Sequence, residues 1–176
     1  MLDTLITSKT RIKLLLKFFL NPENRAYLRN LESEFGESSN SIRLELNKLE
    51  GANMLESVVE GNKKMFKVNK NHPLYSEINK LVKKQLGITT VIENVVLRLG
   101  NLEAVYLTGE LAEGKDNNII DLIFLGDIDD QFLVGLIKRA EELVKRKIRY
   151  IVYDPADYHL FDRESMQNVL LWNQPK

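Results

Sequence analysis

The chain has 176 residues, 44% of them hydrophobic and 28% charged, with 25 Lys+Arg against 25 Asp+Glu. That composition belongs to a soluble globular protein able to bury a core, in one domain or two small ones. No cysteine is present, which excludes disulfides and thiolate metal sites and makes a reducing cytoplasm the simplest setting. Asp3 and the charges after it interrupt any apolar leader, and no apolar run reaches the length of a membrane span.

Taken in order, the first predicted helix spans Ser8 to Leu20, with Ile12, Leu15, Leu16 and Phe19 as its core stripe. Asn21-Pro22 ends it, because the residue before a proline avoids the helical region. Lys9, Arg11, Lys13 and Lys17 are expected on a solvated face within reach of phosphate. Tyr27–Phe35 reads as a short helix with Leu28, Leu31 and Phe35 inward. Gly36-Glu37 then leads to Ser38, a good N-cap for a helix running to Glu50. Ile42, Leu46 and Leu49 share one face of that helix, and Asn40, Arg43 and Asn47 the opposite one. Asn53 follows it, where a left-handed residue commonly stops a helix. Met54–Glu60 and Lys63–Val68 are strand-like runs joined at Gly61-Asn62.

Amphipathic helices and hairpin lysines are ordinary features singly. The ordered set of helix, helix, tight turn, helix and basic hairpin points to a helix-turn-helix that reads duplex DNA. A polar helix face suits base edges in the major groove, and hairpin lysines suit phosphate. The expected DNA contacts are Ser38, Ser39, Asn40, Arg43, Asn47, Lys63 and Lys64. Net charge by segment agrees: residues 1–72 carry +3, residues 73–100 carry +2, and residues 101–176 carry −5.

Leu46-Asn47-Lys48-Leu49-Glu50, the wing opening at Glu56-Ser57 and its tip at Gly61–Lys64 resemble the winged-helix regulators of the arsenic-repressor (ArsR-like) type. The resemblance covers roughly the first 72 residues and implies a DNA-binding winged helix. Asn53 stands where that family usually has glycine. Leu44 and Glu45 stand where its recognition helix often has Arg or His.

Asn69–Pro73 is a polar turn and the expected boundary, followed by a linker over 73–87. That linker contains a helix over Leu74–Leu86, apolar at Leu74, Ile78, Leu81 and Val82. After Gly87 a second helix is predicted over Ile88–Leu99. The surplus of apolar residues in this region fits either a dimer or interdomain contact or the interior of one core. From Ala104 strands and helices alternate: Ala104–Thr108, Ile119–Leu125, a helix over Asp130–Val144 and a strand over Ile148–Tyr153. That helix is expected to turn Phe132, Leu133, Leu136, Ile137, Ala140 and Leu143 inward. The tail Ser165–Trp172 is expected to be a short helix packing Val169, Leu170 and Trp172 on the sheet. The fold class is therefore α+β: a winged helix-turn-helix, a helical linker and a small α/β domain over 88–176 with a short mixed sheet.

The run AVYLTGELAEGKDNNIIDLIFLG resembles the signature of DNA polymerase beta-like nucleotidyltransferases, in which a Gly-Ser turn holds phosphates and an Asp-x-Asp pair binds two Mg²⁺. Gly109 keeps the glycine, Glu110 replaces the serine, Ile119 replaces the first acid and Asp121 remains. The strand expected to supply a third acid offers Arg149. The resemblance thus implies a vestigial nucleotide site at Gly109, Glu110 and Asp121, with no catalytic residue, metal or cofactor. His72 and His159 have no metal-ligand spacing. The sequence reads as a DNA-binding transcriptional regulator, a homodimer whose second domain dimerises or senses a small-molecule or nucleotide effector without being an enzyme. The alternative is an active or antitoxin-like nucleotidyltransferase with a helical partner-binding module. A protein–protein adaptor is a third possibility.

Overall fold

Ser8 opens the helix Lys9–Phe19 (α2), its hydroxyl accepting the Arg11 N–H at 3.2 Å as an N-cap serine does. The computed structural model describes residues 2–162 and 166–174, leaving aside the side chain of Asp3. A short helix, Leu2–Leu5 (α1), precedes α2 and was not expected; the Leu2 N–H donates to the Gln85 side-chain oxygen at 3.0 Å. The chain divides into two compact units, Met1–Gln85 and Leu86–Lys176.

In the first unit the stripe of α2 is wider than periodicity predicts, since Leu14 and Phe18 are wholly buried beside Phe19, whereas Ile12 is half-buried. A two-residue strand, Ala26–Tyr27 (β1), precedes the helix Leu28–Phe35 (α3). Ser38 caps the helix Ser39–Gly51 (α4), accepting the Ser41 N–H at 3.3 Å. Ile42, Leu46 and Leu49 of α4 are buried with Leu31 of α3. Asn53 takes the left-handed conformation (φ 57°) expected of it, turning the chain into the hairpin. The strands Leu55–Glu60 (β2) and Lys63–Val68 (β3) are joined at Gly61-Asn62, with Gly61 at φ 63°. β3 lies between the others in an antiparallel sheet of order β1-β3-β2. The helix Tyr75–Gln85 (α5), expected as a linker, packs on α2 within this unit: the Asn79 amide donates to the Phe19 carbonyl at 2.6 Å, and Tyr75 stacks on the Phe19 ring.

In the second unit the helix expected over Ile88–Leu99 breaks at Val95 into Ile88–Asn94 (α6) and a 3₁₀ turn at Val96–Arg98. The strand Leu102–Thr108 (β4) leads through a four-residue helix, Gly109–Ala112 (α7), to Ile119–Gly126 (β5). Asp129 caps Asp130–Val144 (α8), and Lys147–Tyr153 (β6) follows. The buried stripe of α8 is Leu133, Leu136, Ile137 and Ala140; Phe132 and Leu143, expected inward, lie on its flanks at 51% and 56% exposure. The tail is a strand, Val169–Asn173 (β7), and not the helix expected over Ser165–Trp172, whose Ser165 lies outside the described residues. Its apolar and aromatic side chains suit a sheet, and pairing along β4 satisfies backbone groups that a helix would have left open at that edge.

The second sheet has the order β6-β5-β4-β7, parallel between β5 and β6 and antiparallel elsewhere. β5 and β6 need a crossover to run parallel, and α8 supplies it. Both faces of β4 are covered: Val105 and Leu107 are fully buried on one, and Ala104 and Tyr106 pack with Ile123 and Phe161 on the other. The protein is a mixed α+β structure with a small mixed sheet. Truncating the fully buried Phe124 to alanine is expected to cost about 3–5 kcal/mol; an unfolding free energy from denaturant titration within about 1 kcal/mol of the unsubstituted protein's would mean the centre of this sheet does not hold the unit together.

Candidate functional site

Two places carry polar side chains in an organised pattern, one in each unit. On α4, Ser39, Asn40, Arg43 and Asn47 are exposed, with Leu44 among them at 54%. Arg43 has no ion pair among the described residues. Ser38 is occupied as the cap of the helix.

On the hairpin the two expected lysines differ. Lys63 lies over the Tyr27 ring, 4.4 Å from its centroid, in a cation–π contact that leaves its charge exposed. Lys64 bonds the Glu50 carboxylate at 2.6 Å, and Ser57 donates to the same carboxylate at 2.5 Å. The Lys64 and Ser57 hydrogen bonds hold Glu50 below the usual carboxylate range. Lys64 is therefore committed within the protein more than the sequence suggests. Tyr27, Arg29 and Asn62 join both lysines around an open hollow of about 330 Å³. Arg29 was missed: it sits one residue inside α3, and only the pairing of β1 with β3 brings it beside the hairpin.

Of the α2 cations expected on a solvated face, Lys9 is exposed, whereas the other three are paired. Arg11 bonds the Glu45 carboxylate at 2.7 Å, Lys13 bonds Glu37 at 2.7 Å, and Lys17, itself buried, bonds Glu34 at 2.8 Å. Thr10 donates to Glu37 and lies 3.1 Å from the Ser41 hydroxyl. Glu45, only 5% exposed, also receives Lys48 at 3.4 Å. Burial works to raise the Glu45 carboxyl, and the hydrogen bonds and charges of Arg11 and Lys48 outweigh it, holding the group below the ordinary carboxylate range.

In the second unit the turn after β4 places its backbone against an acid of β5. Gly109 has φ 66°, and a Cβ there would lie 2.4 Å from the Asp121 Oδ2, so glycine is required both for conformation and for space. Asp121 pairs in register with Arg149 of the parallel strand β6. The guanidinium grips both carboxylate oxygens, Nε to Oδ1 at 2.6 Å and a terminal nitrogen to Oδ2 at 2.9 Å. That hydrogen bond first, then the Asp121 and Glu110 charges, hold the Arg149 proton more firmly still. Glu110 accepts from the Asn117 amide at 2.6 Å. The structure thus gathers Gly109, Asp121 and, at longer electrostatic range, Glu110, and adds Arg149. A pair of Mg²⁺ ions does not fit this arrangement: both Asp121 oxygens are taken, and among the described residues no three His, Asp or Glu side chains converge.

No protein-family model matches the chain, and no curated protein does. Solved structures give low-level likeness over about half of it. One is the protein AF1382 of Archaeoglobus fulgidus, with TM-score 0.38 and 19% identity, covering 53% of this chain and 99% of that one. Another is a putative nucleotidyltransferase from Sulfolobus solfataricus, with TM-score 0.36 and 24% identity, covering 56% and 88%. A third is a tri-AMPylated Shewanella oneidensis HEPN toxin in complex with MNT antitoxin, with TM-score 0.40 and 18% identity, covering 52% and 73%. Of the three, the second is named as a putative nucleotidyltransferase and the third as a toxin–antitoxin complex. None of the three is described as an arsenic-repressor-type regulator or as DNA-binding. The expectation that the chain is no enzyme is overturned by these neighbours, which include a putative nucleotidyltransferase and a complex whose toxin is AMPylated, and it is withdrawn. Among the described residues no helix is long and apolar enough to cross a membrane.

Two outcomes follow from the geometry. Because the folded Glu45 lies below its unfolded value of about 4.3, its contribution to stability is full above that value and is lost as pH falls through the folded one. Glu45→Gln should therefore flatten the fall in denaturant midpoint below about pH 4.3, and an unchanged slope would mean that the carboxylate is not held as described. Gly109→Ala should destabilise the second unit by more than about 1 kcal/mol, read by thermal unfolding; a neutral result would contradict the close approach to Asp121.

Proposed function

We propose that the first unit is a winged helix that binds double-stranded DNA, and that the chain is a DNA-bound regulator working as a homodimer. What carries this is the outer row of α4, where Asn40, Arg43, Leu44 and Asn47 stand exposed on a helix seated by α2 and α3 and followed by a basic hairpin. A helix with such a row fits the major groove. Arg43 offers bidentate donors to guanine, the two asparagines suit adenine, and Leu44 offers apolar contact to a thymine methyl. Arg29 and Lys63 flank the row as phosphate ligands. The DNA reading rests on the α4 face and on the cations that flank it.

A second reading concerns the second unit: a nucleotidyltransferase-like domain, active or antitoxin-like, that works with a protein partner. The left-handed turn at Gly109 laid against Asp121 favours it, and the names of the similar structures fall on its side. Transfer there would first require Arg149 to leave Asp121. The guanidinium is exposed enough to make that exchange with solvent. The two readings lie in different units and do not exclude each other.

On a duplex selected from a random pool, Arg43→Ala should cost about 1–3 kcal/mol and relax base preference. Lys63→Ala should weaken all sequences alike and reduce the salt dependence. Failure to bind any duplex at low salt would end the DNA reading. For the second unit, the protein is incubated with each nucleoside triphosphate, Mg²⁺ or Mn²⁺ and candidate protein acceptors, and products are weighed by mass spectrometry. Transfer abolished by Asp121→Ala supports an active domain; no mass gain on any acceptor removes the catalytic half of that reading.

A further inference from the structure

The first unit contains a pocket that neither proposed activity uses. It has a volume of about 420 Å³, within the range of small-molecule sites, and its walls are almost wholly apolar. Leu15 of α2, Leu49 of α4, Met54 before the hairpin, and Ile78 and Val82 of α5 form its body, and Leu2 of α1 closes one side. Leu74 and Leu81 at its rim are 48% and 40% exposed, so the rim is apolar surface left to water.

The polar lining is confined to Arg11 and Lys48. Both bind the one buried carboxylate of Glu45, so two cations share one anion and a surplus positive charge remains beside an apolar space. Of the five N–H donors of Arg11, only the Nε–H is bonded to a side chain among the described residues. Lys48 is half exposed. An apolar cavity with a net positive mouth calls for a ligand that is apolar along its length and anionic at one end.

We propose that this pocket binds a medium-length linear carboxylate, its chain among Leu15, Leu49, Met54, Ile78 and Val82 and its carboxylate at Arg11 and Lys48. Lys48 and Leu49 belong to α4, so the ligand touches the helix assigned to DNA. Binding itself is independent of that assignment and stands or falls by its own titration.

The probe is decanoate below its micelle concentration, titrated calorimetrically into the full chain without DNA, with decanol and acetate as comparisons. The expected result is saturable one-to-one binding of decanoate, at least tenfold weaker binding of decanol, and none of acetate. Lys48→Met leaves the Arg11–Glu45 bond in place; it should weaken decanoate toward the level of decanol and leave decanol unchanged. Ile78→Trp, filling the cavity away from the charges, should abolish binding of both while circular dichroism shows the fold intact. Equal binding of decanoate and decanol, or an unchanged decanoate affinity in Lys48→Met, overturns the proposal. So does a homodimer, seen by sedimentation, that excludes decanoate, because the groove would then belong to a second copy.

Discussion

A seam of charge between α2 and the two helices that follow it fixes the geometry on which the first unit depends. Arg11, Lys13 and Lys17 lie along α2 and meet Glu45, Glu37 and Glu34 in turn, each within 2.8 Å. The pairs range from half exposed at Lys13 to almost dry at Lys17 and Glu34, where the side chains are 10% and 14% exposed. Attraction in such pairs is largely offset by the loss of hydration, so they contribute little net stability. Their directional bonds matter more. A buried carboxylate tolerates few positions of its cation, and Glu45 fixes the rotation of α4 about its own axis. That rotation decides which residues of α4 face outward.

The same seam alters what the net charge of the segment means. A surplus of +3 over residues 1–72 suggests a basic surface. Yet Arg11, Lys13 and Lys17 of α2 are paired with acids of the same unit, as are Lys64 with Glu50 and Lys67 with Glu56. The exposed cations left for a partner are Lys9, Arg25, and Arg29, Arg43 and Lys63 on α3, α4 and the hairpin. A few well-placed cations give weaker long-range attraction than a broad basic face, and they leave discrimination to short-range contacts.

Much of the first unit was legible because its signals are local. Ser8 and Ser38 cap the helices that the sequence places after them, and Asn53 turns left-handed where a helix needs a stop. The misses share one cause, which is dependence on residues distant in sequence. Arg11, Lys13 and Lys17 look like a solvent face because their acids lie 17 to 34 residues away. The tail became a strand because β4, more than sixty residues earlier in the chain, offered an open edge to side chains that also suit a sheet. Arg149 could be seen to stand where an acid was wanted, but its bidentate grip on Asp121 follows only from the parallel register of β5 and β6.

That register also defines the polar corner of the second unit. Gly109 lies so close to Asp121 that a Cβ there would fall 2.4 Å from its Oδ2, and Arg149 binds both oxygens of the same carboxylate. Glu110 adds negative charge to the corner, and its field joins that of Asp121 in holding the Arg149 proton. A nucleotide could be held there only if Arg149 turned from Asp121 to the phosphates. The same turn would free Asp121 and expose two uncompensated acids to each other's field. An arginine shared between a carboxylate and an anion is therefore the element on which any nucleotide chemistry in this unit must hinge. Its exposure at 66% places it where such an exchange meets little steric resistance.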